Sequence, residues 1–409
     1  MTATPSSTAP DIAPGRLPEA EIDARFAKVH PPLDRHEALV EADRCYFCYD
    51  APCMTACPTS IDIPMFIRQI STQNPNGAAQ TILEQNIMGG MCARVCPTET
   101  LCEEVCVREI AEGKPVKIGE LQRYATDHLM ETADTHPFQR AAATGKRVAV
   151  VGAGPAGMSC AHRLAMHGHD VTVFEAREKS GGLNEFGIAE YKAMGEFAQA
   201  EIEFILGIGG ITIENGKALG SDIQLAALAE EYDAVFLGMG LPDTNDLGLS
   251  AEDADNCLDA VRYIERIRQT DDLSSLPLGK NIVVIGGGMT AIDVAAQTKL
   301  MGADTVTICY RRGPDQMGAS EYERDLAQTH GVVIRHWMKP IALETDDAGN
   351  VTGITLARTT LDGGKLVETG ETMTLPADQI FKAIGQAPRS EMLGDMDITL
   401  ERGRIAVGE

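Results

Sequence analysis

The chain has 409 residues, 44% of them hydrophobic, with 35 basic against 60 acidic side chains and a formal charge of −25. That length leaves room for two or three domains with cores of their own, and the composition is that of a soluble globular protein. The acidic balance argues against nucleic acid or an anionic membrane surface as partner, since both attract basic patches. No apolar run approaches a membrane span, and the Thr-, Ser- and Pro-rich N-terminus lacks a secretory signal, so a cytoplasmic protein is expected.

In chain order, residues 1–20 carry Pro5, Pro10, Pro14 and Pro18 with little to bury, and read as a disordered arm. Residues 21–140 read as a small helical domain around thiols. Apolar residues are sparse but helical in spacing from Glu19 to Ala42, a helix is expected over Ile63–Ser71, and another over Ala78–Ile87 until Gly89-Gly90 breaks it. Between these helices lies Cys45, Cys48, Cys53 and Cys57 with Pro58 directly after, and beyond them Cys92, Cys96, Cys102 and Cys106, so that eight of the eleven cysteines fall in two groups. Short gaps let a turning backbone aim several sulfurs at one centre, as iron–sulfur ligation requires. Cys-Pro after the last thiol of a run resembles bacterial ferredoxins, in which that cysteine serves the other cluster, so interleaved sites are expected. Structural zinc and disulfides are the competing readings. Zinc carries no electrons, and the cofactor motifs downstream weigh against it. Residues near Thr135 to Gly145 read as a linker.

Lys146 to Val151 is a short apolar run consistent with a buried parallel strand, and Gly152-Ala153-Gly154-Pro155-Ala156-Gly157 follows at once. Such glycines let the backbone turn tightly and approach a pyrophosphate at the start of the next helix. A second strand at Val171–Phe174 delivers Glu175, an acid placed to accept hydrogen bonds from a ribose. The same order returns at Lys280 to Ile285, then Gly286-Gly287-Gly288-Met289-Thr290-Ala291, a helix to Leu300 and a strand over Thr305–Tyr310. That strand ends in Arg311-Arg312, where a guanidinium can grip a 2′-phosphate or stack on adenine, or simply face solvent. Asp233 to Gly240, and Phe381 to Pro388, read as points where one dinucleotide domain hands over to the other, and Ala383, Ile384 and Gly385 are expected among the cofactor-binding residues. Residues 331–375 alternate apolar and polar between turn-rich runs, as an antiparallel unit does.

Two thiol groups ahead of two dinucleotide motifs resemble the NAD(P)H-oxidising subunit of bacterial dihydropyrimidine dehydrogenase, within the glutamate synthase small-subunit family. The likeness runs from about Pro32 to the end of the chain. Gly119 to Ala125, the gap between Cys96 and Cys102, and Arg311-Arg312-Gly313 favour the pyrimidine branch. The resemblance implies an α/β fold with an N-terminal helical iron–sulfur domain and two Rossmann-like domains of the glutathione-reductase kind. It divides the chain into an FAD-binding domain at 146–245 and 376–409 and an NAD(P)-binding domain at 246–375. It also implies two [4Fe–4S] clusters, one held by Cys45, Cys48, Cys53 and Cys106, the other by Cys57, Cys96, Cys102 and Gln122. An amide is a poor iron ligand, and Gln122 also reads as a helix-surface residue; Cys92 is left as a spare thiol, and Cys160, Cys257 and Cys309 as small apolar residues. FAD contacts are implied at Val95, Gly152, Ala153, Gly154, Pro155, Ala156, Gly157, Glu175, Gly182, Leu183 and Lys192. Nicotinamide-dinucleotide contacts are implied from Gly286 to Ala291 (Gly286, Gly287, Gly288, Met289, Thr290, Ala291) and at Arg311 and Arg312. Gln316-Met317-Gly318-Ala319 stands where NADPH-using relatives carry another basic residue, which tilts the expectation to NADH. Relatives continue beyond Gly403-Arg404-Ile405 to a segment that closes over the flavin, so the C-terminal end reads as truncated at Glu409.

The function implied is electron input. NAD(P)H would be oxidised through FAD and the two clusters, and electrons would pass to an FMN-containing dihydropyrimidine dehydrogenase catalytic subunit (PreA-like) that reduces uracil or thymine, in a hetero-oligomer. No catalytic side chain is assigned, because hydride transfer to a flavin needs no protein acid or base. The alternatives are a glutamate synthase small subunit or related ferredoxin:NAD(P) oxidoreductase and, in another class, a non-catalytic electron-transfer or redox-sensing protein.

Overall fold

The computed structural model describes residues 17–393, 398–401 and 404–406, so most of the expected N-terminal arm lies outside the described residues. The chain divides into two compact units. One contains Pro31–Glu185, Ala193–Asp243 and the described residues from Pro388 on; the other contains residues 17–30, Phe186–Lys192 and Thr244–Ala387.

In the first unit the thiol groups hang on short helices. Arg35–Ala42 starts at a capping box, in which Asp34 Oδ1 accepts from Glu37 N (2.8 Å) and Glu37 Oε2 from Asp34 N (2.9 Å). Ile63–Ser71 forms where expected: Asp62 caps it through Met65 N, and Ile63, Phe66, Ile67 and Ile70 make one buried stripe. The next helix runs from Pro75 to Gln85, opened by Asn74 and a proline at its first position. Gly89-Gly90, expected as a break, instead begins the helix Gly89–Val95, and the longest helix of this part is Ile118–Thr132.

This helical part shares one continuous core with a dinucleotide fold, since Phe66, Ile82 and Leu121 belong to the same buried cluster as Val150, Met158 and Ile202. Four parallel strands lie in the order Ile211–Asn215, Asp170–Glu175, Arg147–Val151, Ala234–Leu237. The central strand is buried from Val148 to Val151, as a parallel strand covered on both faces must be. The helix Pro155–Met166 crosses over from it to its neighbour.

The second unit has a five-stranded parallel sheet in the order Cys257–Asp259, Gln379–Ala383, Asn281–Gly286, Thr305–Tyr310, Val333–His336. A three-stranded antiparallel sheet of Met338–Thr345, Val351–Asp362 and Lys365–Pro376 accompanies it. The antiparallel unit therefore starts at Met338 rather than at residue 331, because Val333–His336 completes the parallel sheet.

The boundaries differ from those read in the sequence at three places. The helix Glu19–Phe26 buries Ile22 and Phe26 in the same core as Ile292 and Ala296, so it packs with the second dinucleotide motif. Residues 376–387, expected with the FAD-type fold, stay in the second unit because Gln379–Ala383 pairs along its whole length with Asn281–Gly286. Phe186–Lys192 joins the same unit, with Tyr191 buried in that core. For Glu19–Phe26 the apolar spacing marked a helix with a buried face without saying which sheet it packs near.

Candidate cofactor sites

Cys45, Cys48, Cys53 and Cys106, drawn from both sequence groups, line one cavity together with Ile63, Ile67 and Ile118. Pro52 starts the five-residue helix Pro52–Ala56 that carries Cys53, and Phe47, at φ +51°, turns the chain between Cys45 and Cys48. Phe47 N donates to Cys45 Sγ at 3.4 Å. Burial pushes the Cys45 thiol up, and burial followed by its neighbours Cys45 and Cys106 pushes Cys53 up to about 12. Thiols so placed resist becoming thiolates together unless a cationic centre compensates them, which is the demand an iron–sulfur cluster meets. The donor set therefore fits such a cluster.

A second set of thiols lies in the same unit. Cys57 ends the Pro52–Ala56 helix, its N–H bonded to Cys53 O at 3.2 Å, and it acts electrostatically on both Cys96 and Cys102. A hydrogen bond with Cys92 and then burial push Cys96 up; burial, Glu103 and Cys57 push Cys102 up. Gln122, on the helix Ile118–Thr132, is buried rather than on a helix surface, and its Nε2 donates to Gly89 O at 2.8 Å. With the nitrogen engaged, its oxygen is the atom available as a ligand. Cys92 is in contact with Cys96, Gln122 and Asn86, and the hydrogen bond from Cys96 lowers it to about 7. Among the described residues no three His, Cys, Asp or Glu side chains close on a point as tightly as one metal ion requires.

Sequence reasoning missed the side chains that anchor this second group. Glu201, from the helix Phe197–Leu206 of the dinucleotide fold, accepts from Gly90 N and Met91 N at 2.9 Å each, and burial pushes its carboxyl up to about 7. Arg94 lies 3.3 Å over the Phe197 ring and pairs with Asp127 at 2.9 Å. Nothing in the sequence distinguishes Glu201 from exposed Glu203 two residues on.

At the first glycine motif the turn is closed by backbone. Gly152 (φ +99°) donates to Phe174 O at 2.7 Å, and a Cβ on Gly157 would meet Gly152 O at 1.9 Å. Gly182 (φ +54°) brings its own chain against Gly154, where a Cβ would lie 2.7 Å from Gly154 Cα. Leu183, next to it, is exposed. Glu175 is buried, with Oε2 accepting from Ala153 N (2.8 Å) and Oε1 from Arg177 N (3.0 Å); each oxygen keeps a further acceptor position. The arrangement of Gly152, Ala153, Gly154, Pro155 and Ala156 at a helix start fits a dinucleotide pyrophosphate. Val95, expected near a flavin, is the half-buried last residue of the Gly89–Val95 helix.

At the second motif Gly286 is pressed against Ala383, whose O would lie 2.2 Å from an added Cβ, while Gly288 faces open space. Ala291, at the third glycine position, is fully buried. Asn245 Nδ2 holds Ile384 O at 3.2 Å, and its N–H donates to Gly385 O at 3.1 Å, which fixes the loop beside the turn. Backbone carbonyls tie Arg311 and Arg312 down: Thr359 Oγ1 donates to Arg311 O (2.7 Å) and Trp337 N to Arg312 O (3.1 Å). Among the described residues neither guanidinium pairs with a carboxylate, so both keep their charge for a ligand. Lys192 does not: its ammonium is buried between Asp293 (2.8 Å) and Glu323 (2.7 Å), with Tyr191 Oη also bonded to Asp293. Burial would lower its pKa, but the two carboxylates hold it above the usual lysine value.

Comparison with known proteins divides the chain by sequence into two matched stretches. Residues 22–134 match a family profile described as dihydropyrimidine dehydrogenase domain II, 4Fe-4S cluster, and residues 146–409 match the pyridine nucleotide-disulphide oxidoreductase profile. Among curated relatives, the chain is 37% identical to the Salmonella typhi homolog of the NAD-dependent dihydropyrimidine dehydrogenase subunit PreT, over 88% of this chain and 82% of that one. It is 36% identical to PreT of Escherichia coli K12 with the same coverage. It is 32% identical to the glutamate synthase [NADPH] small chain of that organism, over 97% of this chain and 88% of the relative. Among solved structures, Mycobacterium tuberculosis FprA in complex with NADPH shares the fold at 20% identity and a TM-score of 0.51, over 59% of this chain and 71% of FprA.

Proposed function

Because the chain belongs to the family that unites PreT subunits with glutamate synthase small chains, and is an NAD(P)H-dependent flavin iron–sulfur oxidoreductase, we propose that it is the electron-input subunit of a dihydropyrimidine dehydrogenase. In this reading it oxidises NADH and feeds an FMN-containing partner that reduces uracil or thymine. Support comes foremost from the cavity that gathers Cys45, Cys48, Cys53 and Cys106 out of two separate sequence groups, in a chain that resembles PreT along most of its length.

The cofactors proposed are FAD at the first glycine motif, a nicotinamide dinucleotide at the second and two [4Fe–4S] clusters. Bound there, a flavin would convert a two-electron hydride donor into a source of single electrons for the clusters. The protein's own part is to bind and orient. The turn from Gly152 to Gly157 and Glu175 would take the pyrophosphate and ribose of FAD, and the Gly286–Ala291 turn with Arg311 and Arg312 those of the nicotinamide dinucleotide. Gln122, fixed by Gly89, would offer an oxygen to the second cluster beside Cys57, Cys96 and Cys102. No side chain is required to move a proton.

The test is to combine the purified protein with its FMN-containing partner, NADH and uracil. Uracil-dependent NADH oxidation is expected. If neither nicotinamide supports uracil loss while glutamine and 2-oxoglutarate are consumed in the presence of a glutamate synthase large chain, the second reading replaces it; the match to the glutamate synthase small chain over 97% of this sequence is what favours that reading. Within the protein, Cys48→Ser and Cys57→Ser should erase different iron–sulfur signals, and identical losses would contradict the ligand sets.

A further inference from the structure

We propose that Glu201 is a positioning residue for the second cluster, locking the helix that leads into Cys96 onto the first dinucleotide fold. The inference rests on the ligand set proposed above. Glu201 is 1% exposed, and one carboxylate oxygen accepts two consecutive backbone N–H groups, those of Gly90 and Met91, at 2.9 Å each. Its other oxygen is buried with no hydrogen-bond partner among the described residues. Leaving an oxygen so placed is costly, which marks the position as one that packing alone would have filled with an apolar residue.

One helical turn further on, a second contact joins the same two helices. Arg94 covers the Phe197 ring, and Phe197 stands four residues before Glu201. Gly90 is the residue that permits this approach: a Cβ there would lie 2.5 Å from Phe197 Cζ and 2.9 Å from Glu201 Oε1. The lock reaches the proposed ligands from two directions. Forward along the helix it fixes Val95 and the backbone of Cys96, whose N–H bonds to Cys92 O at 2.9 Å. Backward, Gly89 O holds the Gln122 amide at 2.8 Å and so sets which of its atoms can face iron. A small rotation at Gly90 would therefore move a thiolate and an amide oxygen together, whereas Cys45, Cys48, Cys53 and Cys106 lie on other segments.

The experiment compares Glu201→Ala, Glu201→Gln and Glu203→Ala, the last an exposed acid on the same helix, in the full-length protein. Readouts are iron and sulfide per chain, the electron paramagnetic resonance spectrum of the reduced protein, and the midpoint potential of each signal. Glu201→Ala should alter or lose one signal of two and up to half of the iron. Glu201→Gln, which keeps an oxygen acceptor for both N–H groups, should restore that signal, and Glu203→Ala should match the parent. Should Glu201→Ala fail to fold, Glu201→Asp, one methylene shorter, should shift that same signal alone. Two unchanged signals and potentials in the Ala or Asp variant would overturn the proposal, as would equal loss of both signals. A parent protein without two cluster signals would overturn the ligand set, and this inference with it.

Discussion

The two dinucleotide folds follow the same order of strand, glycine turn, helix and strand, yet they are held differently. In the first the turn is backbone against backbone, with Gly157 pressed on Gly152, and the helix behind it buries His162, whose Nε2 has no partner among the described residues. In the second Gly288 opens on empty space, an alanine takes the third glycine position, and the helix buries Asp293 neutralised by Lys192. Glycines in one motif thus do two separable jobs. Some close the turn, and others leave room for a ligand.

The largest expected effect tests that separation. Gly157→Ala places a methyl against a backbone oxygen that cannot move aside, so the purified protein should lose its flavin absorbance. Gly288→Ala should melt at the parent temperature and weaken NADH binding by about tenfold, roughly 1.4 kcal/mol. A flavin-replete Gly157→Ala protein would break the comparison.

Next in size is Lys192→Met, which leaves Asp293 and Glu323 buried without their cation. Removing one partner of a buried pair costs about 3–5 kcal/mol, read in denaturant unfolding of the second unit. A loss under about 1 kcal/mol would mean the ammonium does not hold those acids.

The buried histidine gives the first fold a pH signature. Burial, then the charges of His136 and Arg163, lowers His162 from 6.5 to about 4. Between those values the unfolded chain binds a proton that the folded one refuses, so stability is full above about 6.5 and falls as pH drops, levelling below about 4. The total is roughly 3 kcal/mol. Unfolding curves at pH 7 and pH 5 should show it, and His162→Gln should flatten this window.

The smallest effect belongs to Arg312→Ala, which should raise the KM for NADH about fivefold, roughly 1 kcal/mol. No change would place that guanidinium in solvent.

Much of this was legible where local rules coincide. Ile63–Ser71 could be read to its ends because a capping Asp62, a proline in the first turn and an apolar stripe agree there. Thr305–Tyr310 likewise emerged as a strand with its boundaries intact. Legibility failed where a partner distant in sequence decides. Gly89-Gly90 reads as a helix breaker, yet starts a helix because Phe197 and Glu201 require a residue without a side chain at Gly90. Gln379–Ala383, with Gln379 and Lys382 among its five residues, shows no apolar run, and its pairing with Asn281–Gly286 is what places it in the second sheet. Of the candidate site, the thiols and the glycine turns were visible as spacing. The burial of Gln122 and the capture of Lys192 by two acids were not, since both depend on which helices meet.

The cavity that draws Cys45, Cys48 and Cys53 together with Cys106 also bears on how such a protein is made. The first three thiols leave the ribosome well before the fourth, and on the proposed ligand sets the neighbouring centre must wait longer still, for Gln122. On those sets neither stretch of cysteines closes a site by itself, so a nascent chain would expose unpaired thiols until the helix Ile118–Thr132 has emerged. Cluster delivery would then be timed to the completed domain rather than to either motif, and the domain would be filled as a whole.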